Sequence, residues 1–178
     1  MTLRWSVVPL ESVGPLRFGM TMAEVVAAVP SAVELRRFVA DPFADVVGIQ
    51  FGFPALYAYF DRSGQLFCVA ADAVSGPQLV LDGMALTGGN PSELEQWLFD
   101  RGGLRYGPRA NPGIDSLGLV MRVQLTAGGL QTRPVLVGRN WADRCTDDWE
   151  GAIPECEWVG HLWPDLRYPE RAKTWPPT

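Results

Sequence analysis

Apolar positions along the chain follow two rhythms, one helical and one of strands, and their order predicts an α+β fold. Met22, Val25, Val26 and Val29 fall at i, i+3, i+4 and i+7, the apolar stripe of a short helix. Thr21 stands in front of it with Glu24 three places on, which is a capping box, and Pro30 limits its far end. A second helix is expected from Asn90, with Pro91 in its first position and Glu93 in its third. Leu94, Trp97 and Leu98 supply its buried stripe, and Gly102 is its natural stop.

Strand-like runs fill the remainder. Residues 33–39, 46–53, 55–60 and 65–71 are rich in strand formers, and Asp61-Arg62-Ser63-Gly64 reads as a tight turn that makes 55–71 a hairpin. Residues 79–81 and 84–86 flank the turn pair Asp82-Gly83, and 117–126 and 130–139 form a longer hairpin around Ala127-Gly128-Gly129. Pro54 and Pro77 mark strand ends or edges. The first organised element is then the helix at Thr21, and the order is helix, strands, helix, strands. Without regular strand–helix alternation a parallel sheet is not expected. The chain should form a mainly antiparallel sheet with two short capped helices packed on it. Each half opens with glycine ahead of a capped helix, a weak internal repeat compatible with duplication.

Length sets the domain count. The 178 residues suit one α+β domain over 1–163, followed by a proline-rich tail over 164–178. Hydrophobic residues make up 47% and charged residues 20%, enough apolar material for a packed core. No apolar run reaches the roughly 18 residues that span a bilayer, and the first residues lack a signal-peptide pattern, so a cytoplasmic location is expected. The net charge of −5 disfavours nucleic acid and anionic lipid as partners, because both select a basic face.

Candidate chemistry is sparse. His161 is the only histidine, which leaves no histidine pair for a metal and no serine or cysteine motif beside it. Cys145, Cys156 and His161 with Asp147 or Asp148 lack the close Cys-x-x-Cys spacing of common zinc modules. No cofactor is expected, since the paired glycines at 88–89 and 102–103 match no phosphate-binding loop. Cys68 reads as a buried small hydrophobe, while Cys145 and Cys156 either pair or stay reduced. The aromatic strand residues Phe51, Phe53, Tyr57, Tyr59 and Phe60 read as core and cross-strand pairs.

The strongest signal is an aromatic and acidic segment. Five of the seven tryptophans lie beyond residue 140, and Trp141, Asp143, Asp147, Asp148, Trp149 and Glu150 crowd ten positions. Carboxylates attract a basic partner at long range and a desolvated tryptophan anchors it. With the turn at Asp61 and Arg62, these residues form the expected partner-binding surface. The bland alternative is a solvated acidic loop whose tryptophans fold inward.

Residues 13–29, Val-Gly-Pro-Leu-Arg-Phe-Gly-Met-Thr-Met-Ala-Glu-Val-Val-Ala-Ala-Val, resemble the opening of small bacterial proteins that include immunity proteins against polymorphic toxins. A related Gly-x-Thr-x-x-Glu-Val helix start occurs in beta-lactamase-inhibitor-like and outer-membrane small-lipoprotein families. The lipoprotein branch is disfavoured because no lipobox precedes the motif. Residues 81–88, Leu-Asp-Gly-Met-Ala-Leu-Thr-Gly, also resemble the middle of immunity-type proteins. Size, acidity and organisation are similar to immunity factors of NAD-glycohydrolase necrotising toxins. The resemblance implies an inhibitor that occludes the active site of a cognate toxin with a basic cleft, and no catalysis of its own. A small-molecule-binding domain, or an enzyme with an aromatic pocket, is the second expectation, and a structural or assembly protein the third.

Overall fold

A computed structural model describes residues 3–29, 33–41, 45–107, 111–146, 153, 154 and 157. The chain starts with a strand rather than a helix. β1 (Arg4–Val8) buries Trp5 and Val7 on alternate positions, and β2 (Ser12–Val13) and β3 (Leu16–Arg17) fold back beside it. Then come α1 (Met22–Ala28) and a four-stranded antiparallel meander: β4 (Glu34–Asp41), β5 (Val46–Gly52), β6 (Ala55–Phe60) and β7 (Leu66–Ala71). The hairpin β8 (Gln78–Leu81) and β9 (Met84–Ala85) precedes α2 (Pro91–Arg101). A second meander follows, β10 (Leu104–Tyr106), β11 (Pro112–Ile114), β12 (Leu119–Thr126) and β13 (Gly129–Val137).

The architecture is α+β with antiparallel pairing dominant. The two meanders join into one eight-stranded sheet, β10-β11-β12-β13-β7-β6-β5-β4, through their last strands. That seam pairs Val135 with Ala70, Leu136 with Val69 and Val137 with Cys68. A smaller sheet, β3-β2-β1-β8-β9, contains a parallel pair, β1 with β8. Among the described residues no helix is long and apolar enough to cross a membrane.

Both expected helix starts are present. The Thr21 hydroxyl accepts from the Glu24 amide, and the Thr21 amide donates to the Glu24 carboxylate at 2.7 Å. The Asn90 side chain accepts from the Ser92 amide at 3.0 Å, and Gly102 ends α2 at φ +79°. Their stripes are narrower than expected. Val25 and Val29 are buried under α1 but Val26 is exposed, and Trp97 is only half-buried beneath the Arg101 guanidinium.

The central strands of the eight-stranded sheet are buried on both faces. On the first, Ile49, Phe51, Leu56, Phe60, Val69, Leu119 and Leu136 pack against Val25, Val29, Leu94 and Leu98 of the helices and Trp5, Val7 and Leu79 of the small sheet. On the second, Tyr57, Tyr59, Cys68, Val120, Val135 and Val137 lie under Cys145 and Ile153. Phe53 departs from its expected place in the core and is 60% exposed beyond the end of β5.

Two fully buried arginines stand on that second face. Arg122 and Arg133 are direct cross-strand partners on β12 and β13, a position where like charges repel. Arg133 grips the Glu157 carboxylate through Nε at 3.1 Å and Nη2 at 2.9 Å. Arg122 donates to the Glu157 carbonyl at 3.0 Å, and the Tyr59 hydroxyl bonds the same carboxylate. Burial pulls the Arg133 guanidinium down, but the charge and hydrogen bonds of Glu157 outweigh it and hold it above its ordinary value. Tyr57, whose ring lies 4.7 Å from the same guanidinium, is pushed up to about 12, chiefly by burial.

Two outcomes follow from these contacts. Thr21→Ala is expected to lower stability by about 1 kcal/mol in chemical denaturation, the ordinary cost of losing such a cap. The folded chain holds the Tyr57 proton more tightly than the unfolded chain, whose tyrosine titrates near 10. That stabilisation is complete below pH 10 and disappears as the pH rises towards 12. Across this window the wild type should lose about 2–3 kcal/mol more than Tyr57→Phe in urea titrations.

Candidate functional site

The turn after β6 and the chain leaving β13 approach each other at one end of the large sheet. Asp61 builds the turn, its Oδ1 accepting from the Ser63 amide at 2.9 Å, the Ser63 hydroxyl at 2.6 Å and the Gln65 amide at 3.2 Å. Beyond β13, Gly138 donates to the Phe67 carbonyl and the chain enters a 3-10 segment, Arg139–Arg144. A cleft of about 170 Å³ opens between these segments and the small sheet, with Leu10, Phe18, Asp61, Phe67, Arg139 and Trp141 among its walls.

Local backbone features aim the aromatic wall. Phe60 pairs with Leu66 while Tyr59 pairs with Cys68, so Phe67 is the extra residue of a β-bulge. The bulge sends Phe67 and Cys68, though consecutive, to the same face of the sheet. Phe67 thereby meets the Trp141 ring at 4.6 Å, and the Arg144 guanidinium covers Trp141 at 4.8 Å. On the opposite wall Leu10 is held at φ +65°, in the left-handed region that a leucine rarely enters. Gly138 lets this wall close, because a Cβ there would come within 2.9 Å of the Phe18 side chain.

The 3-10 segment is fastened at its far end too. Arg105 of β10 pairs with Asp115 at 2.8 Å and donates to the Thr146 hydroxyl at 3.0 Å and the Asp143 carbonyl at 3.4 Å. Cys145, a buried free thiol, donates to Asp115 at 3.3 Å. Burial, then the neighbouring carboxylate, pushes that thiol far above its usual range. Burial and the Asp115 bond favour the protonated thiol, which serves there as a hydrogen-bond donor.

Of the expected partner-binding residues, the structure brings Trp141 and Asp61 to one cleft. Arg62 is exposed in the same turn as Asp61, and the Asp143 side chain is exposed on the 3-10 segment. Asp147, Asp148, Trp149 and Glu150 lie outside the described residues, as do Cys156 and His161. Charges around the described part of the cleft are mixed, since Arg139 and Glu11 form an exposed pair at 3.6 Å beside Asp61 and Arg62. Leu10, Phe18 and Phe67 complete the cleft, and the sequence pattern does not mark them. A left-handed leucine carries no glycine or asparagine to betray it, and a bulge leaves the strand pattern almost unchanged. Among the described residues no three His, Cys, Asp or Glu side chains gather as metal ligands would.

Comparison with protein-family models, curated proteins and solved structures gives no match to this chain.

The thiol environment makes a direct forecast. In the folded chain Cys145 should resist iodoacetamide at pH 8 and become alkylated only in denaturant, as read by peptide mass spectrometry. Rapid labelling of the native protein at Cys145 would show that the thiol is neither buried nor held protonated.

Proposed function

We propose that this protein is an immunity-type inhibitor that binds a cognate bacterial toxin and occludes its active site. The resemblance in residues 13–29 and 81–88 suggests the immunity class, and size, acidity and organisation suggest an NAD-degrading toxin as its target. The observation that carries the reading is the meeting of Trp141 and Asp61 at one cleft, with Phe67 stacked behind the tryptophan. Small-molecule sites usually enclose about 300–1,000 Å³. At about 170 Å³ this cleft suits a single side chain projecting from a partner better than a cofactor or a sizeable substrate. The small-molecule alternative is the weaker one for that reason.

A basic side chain fits the lining. A guanidinium or ammonium entering beside Asp61 gains its negative charge, while the Phe67 and Trp141 rings offer apolar surface to its alkyl stem. The exposed Asp61–Arg62 turn and the Asp143 segment would then lie across the toxin's cleft. Occlusion needs affinity and no turnover. On this reading the protein works in the cytoplasm, with a toxin domain as partner and neither nucleic acid nor membrane.

Binding kinetics against a toxin domain encoded by a neighbouring gene, together with rescue of cells expressing that toxin, test the proposal. Trp141→Ala should speed dissociation about 30-fold, the equivalent of a 2 kcal/mol anchor. Asp61→Asn, which keeps the turn's acceptor, should slow association and flatten its salt dependence. Wild-type kinetics from both folded variants would place the contact elsewhere, and failure of the wild type to bind or protect would remove the function.

A further inference from the structure

The buried arginines of the second sheet face hold more than an ion pair requires. Arg133 is fixed by the sheet itself. Its Nη1 donates to the Ala71 carbonyl at 3.2 Å and faces Gln124 Oε1 at 3.5 Å, while its guanidinium lies 4.7 Å from the Tyr57 ring. Gln124 is held in turn by Asp72 at 2.9 Å and by the Ala73 amide at 3.1 Å. These contacts occupy one side of the guanidinium and leave the Nε–Nη2 edge facing the interior. That edge is the two-donor fork that matches a carboxylate.

A third donor converges from another strand, the Tyr59 hydroxyl of β6. Tyr59, Arg122 and Arg133 thus stand on β6, β12 and β13, near the middle of a sheet paired on both sides. Their occupant comes from elsewhere. Glu157 follows Arg133 by 24 residues and belongs to none of the strands that build the site. Donors fixed by a scaffold around a ligand from a separate segment describe a preorganised receptor.

We propose that Arg133 and Tyr59 form a carboxylate-binding site that the chain fills with its own Glu157, with Tyr57 packed on the guanidinium and Arg122 holding the Glu157 backbone carbonyl, and that the same site takes an external carboxylate once that side chain is gone. The ligand class is a carboxylate because the buried occupant is one, and a phosphate would bring further oxygens and charge that these donors leave unmatched. The fork and the single hydroxyl together supply three donors to two coplanar oxygens. The inference is independent of the toxin reading and stands or falls without it.

The experiment uses the full chain with Glu157→Ala and follows its thermal unfolding in sodium formate and sodium acetate. Chloride and phosphate at equal ionic strength are the controls. Removing the buried partner should lower Tm by roughly 10 °C. Formate or acetate should then recover about half of that loss, saturably, and chloride and phosphate should not. Glu157→Gln, which still fills the site, and Arg133→Met/Glu157→Ala, which lacks the fork, should show no saturable response. If Glu157→Ala does not fold alone, refolding yield becomes the readout. Recovery in formate but not chloride supports the site, and no recovery in either overturns it. An equal response to chloride or phosphate, or the same response from the double variant, would also overturn it.

Discussion

The Arg133–Glu157 ion pair decides how the rest of this molecule is layered. Two guanidiniums placed side by side near the middle of a sheet face cannot be left in an apolar environment without an anion and hydrogen-bond acceptors. Glu157 supplies both, its carboxylate to Arg133 and its carbonyl to Arg122. To do so, the chain beyond β13 must return across the sheet. Cys145 and Ile153 are covered with it, and Tyr57, Tyr59 and Val135 become interior. A sheet that otherwise would have one wet face is thereby the middle layer of the fold.

The same return path creates the cleft. Leaving β13, the chain turns at Gly138 and lays Trp141 against Phe67, whose orientation is a product of the bulge in β7. Arg105 and Asp115 then tie down the end of the 3-10 segment from the opposite edge of the sheet. Trp141 is thus held at both ends of its segment. Less conformational freedom is lost on binding when a contact surface is already fixed in this way.

How much of this the sequence discloses depends on the range of the interactions involved. The helix caps at Thr21 and Asn90, the turns at 61–64 and 82–83, the first meander and the β12–β13 hairpin rest on neighbouring residues and are legible, whereas the short strands β10 and β11 at the sheet edge are not. Nor is β1, because its five residues are stabilised by parallel pairing with β8, more than seventy positions away. Arg122 and Arg133 sit in strands where charged residues ordinarily signal solvent, so the interior character of that face was hidden until Glu157 was placed. Residue type alone marks Trp141 and the Asp61 turn as candidate contact residues, and the structure places both at one cleft. The supporting walls were not, since Leu10 adopts a backbone state its side chain disfavours and Phe67 breaks the alternation of its strand.

The seam between the two meanders bears on how the chain reaches this state. Each meander contains hairpins whose partners are close in sequence, whereas β7 and β13 meet through three residue pairs separated by some 65 to 69 positions. Local hairpins close on microsecond timescales, and contacts spanning long loops come later because more chain entropy is lost in making them. The halves can therefore acquire their strands separately, and docking of Val135, Leu136 and Val137 onto β7 is the step that commits the chain to a single body. Until that step, β7 and β13 each present an apolar edge to solvent. Their burial against one another is what keeps a nascent chain from pairing those edges with a neighbour.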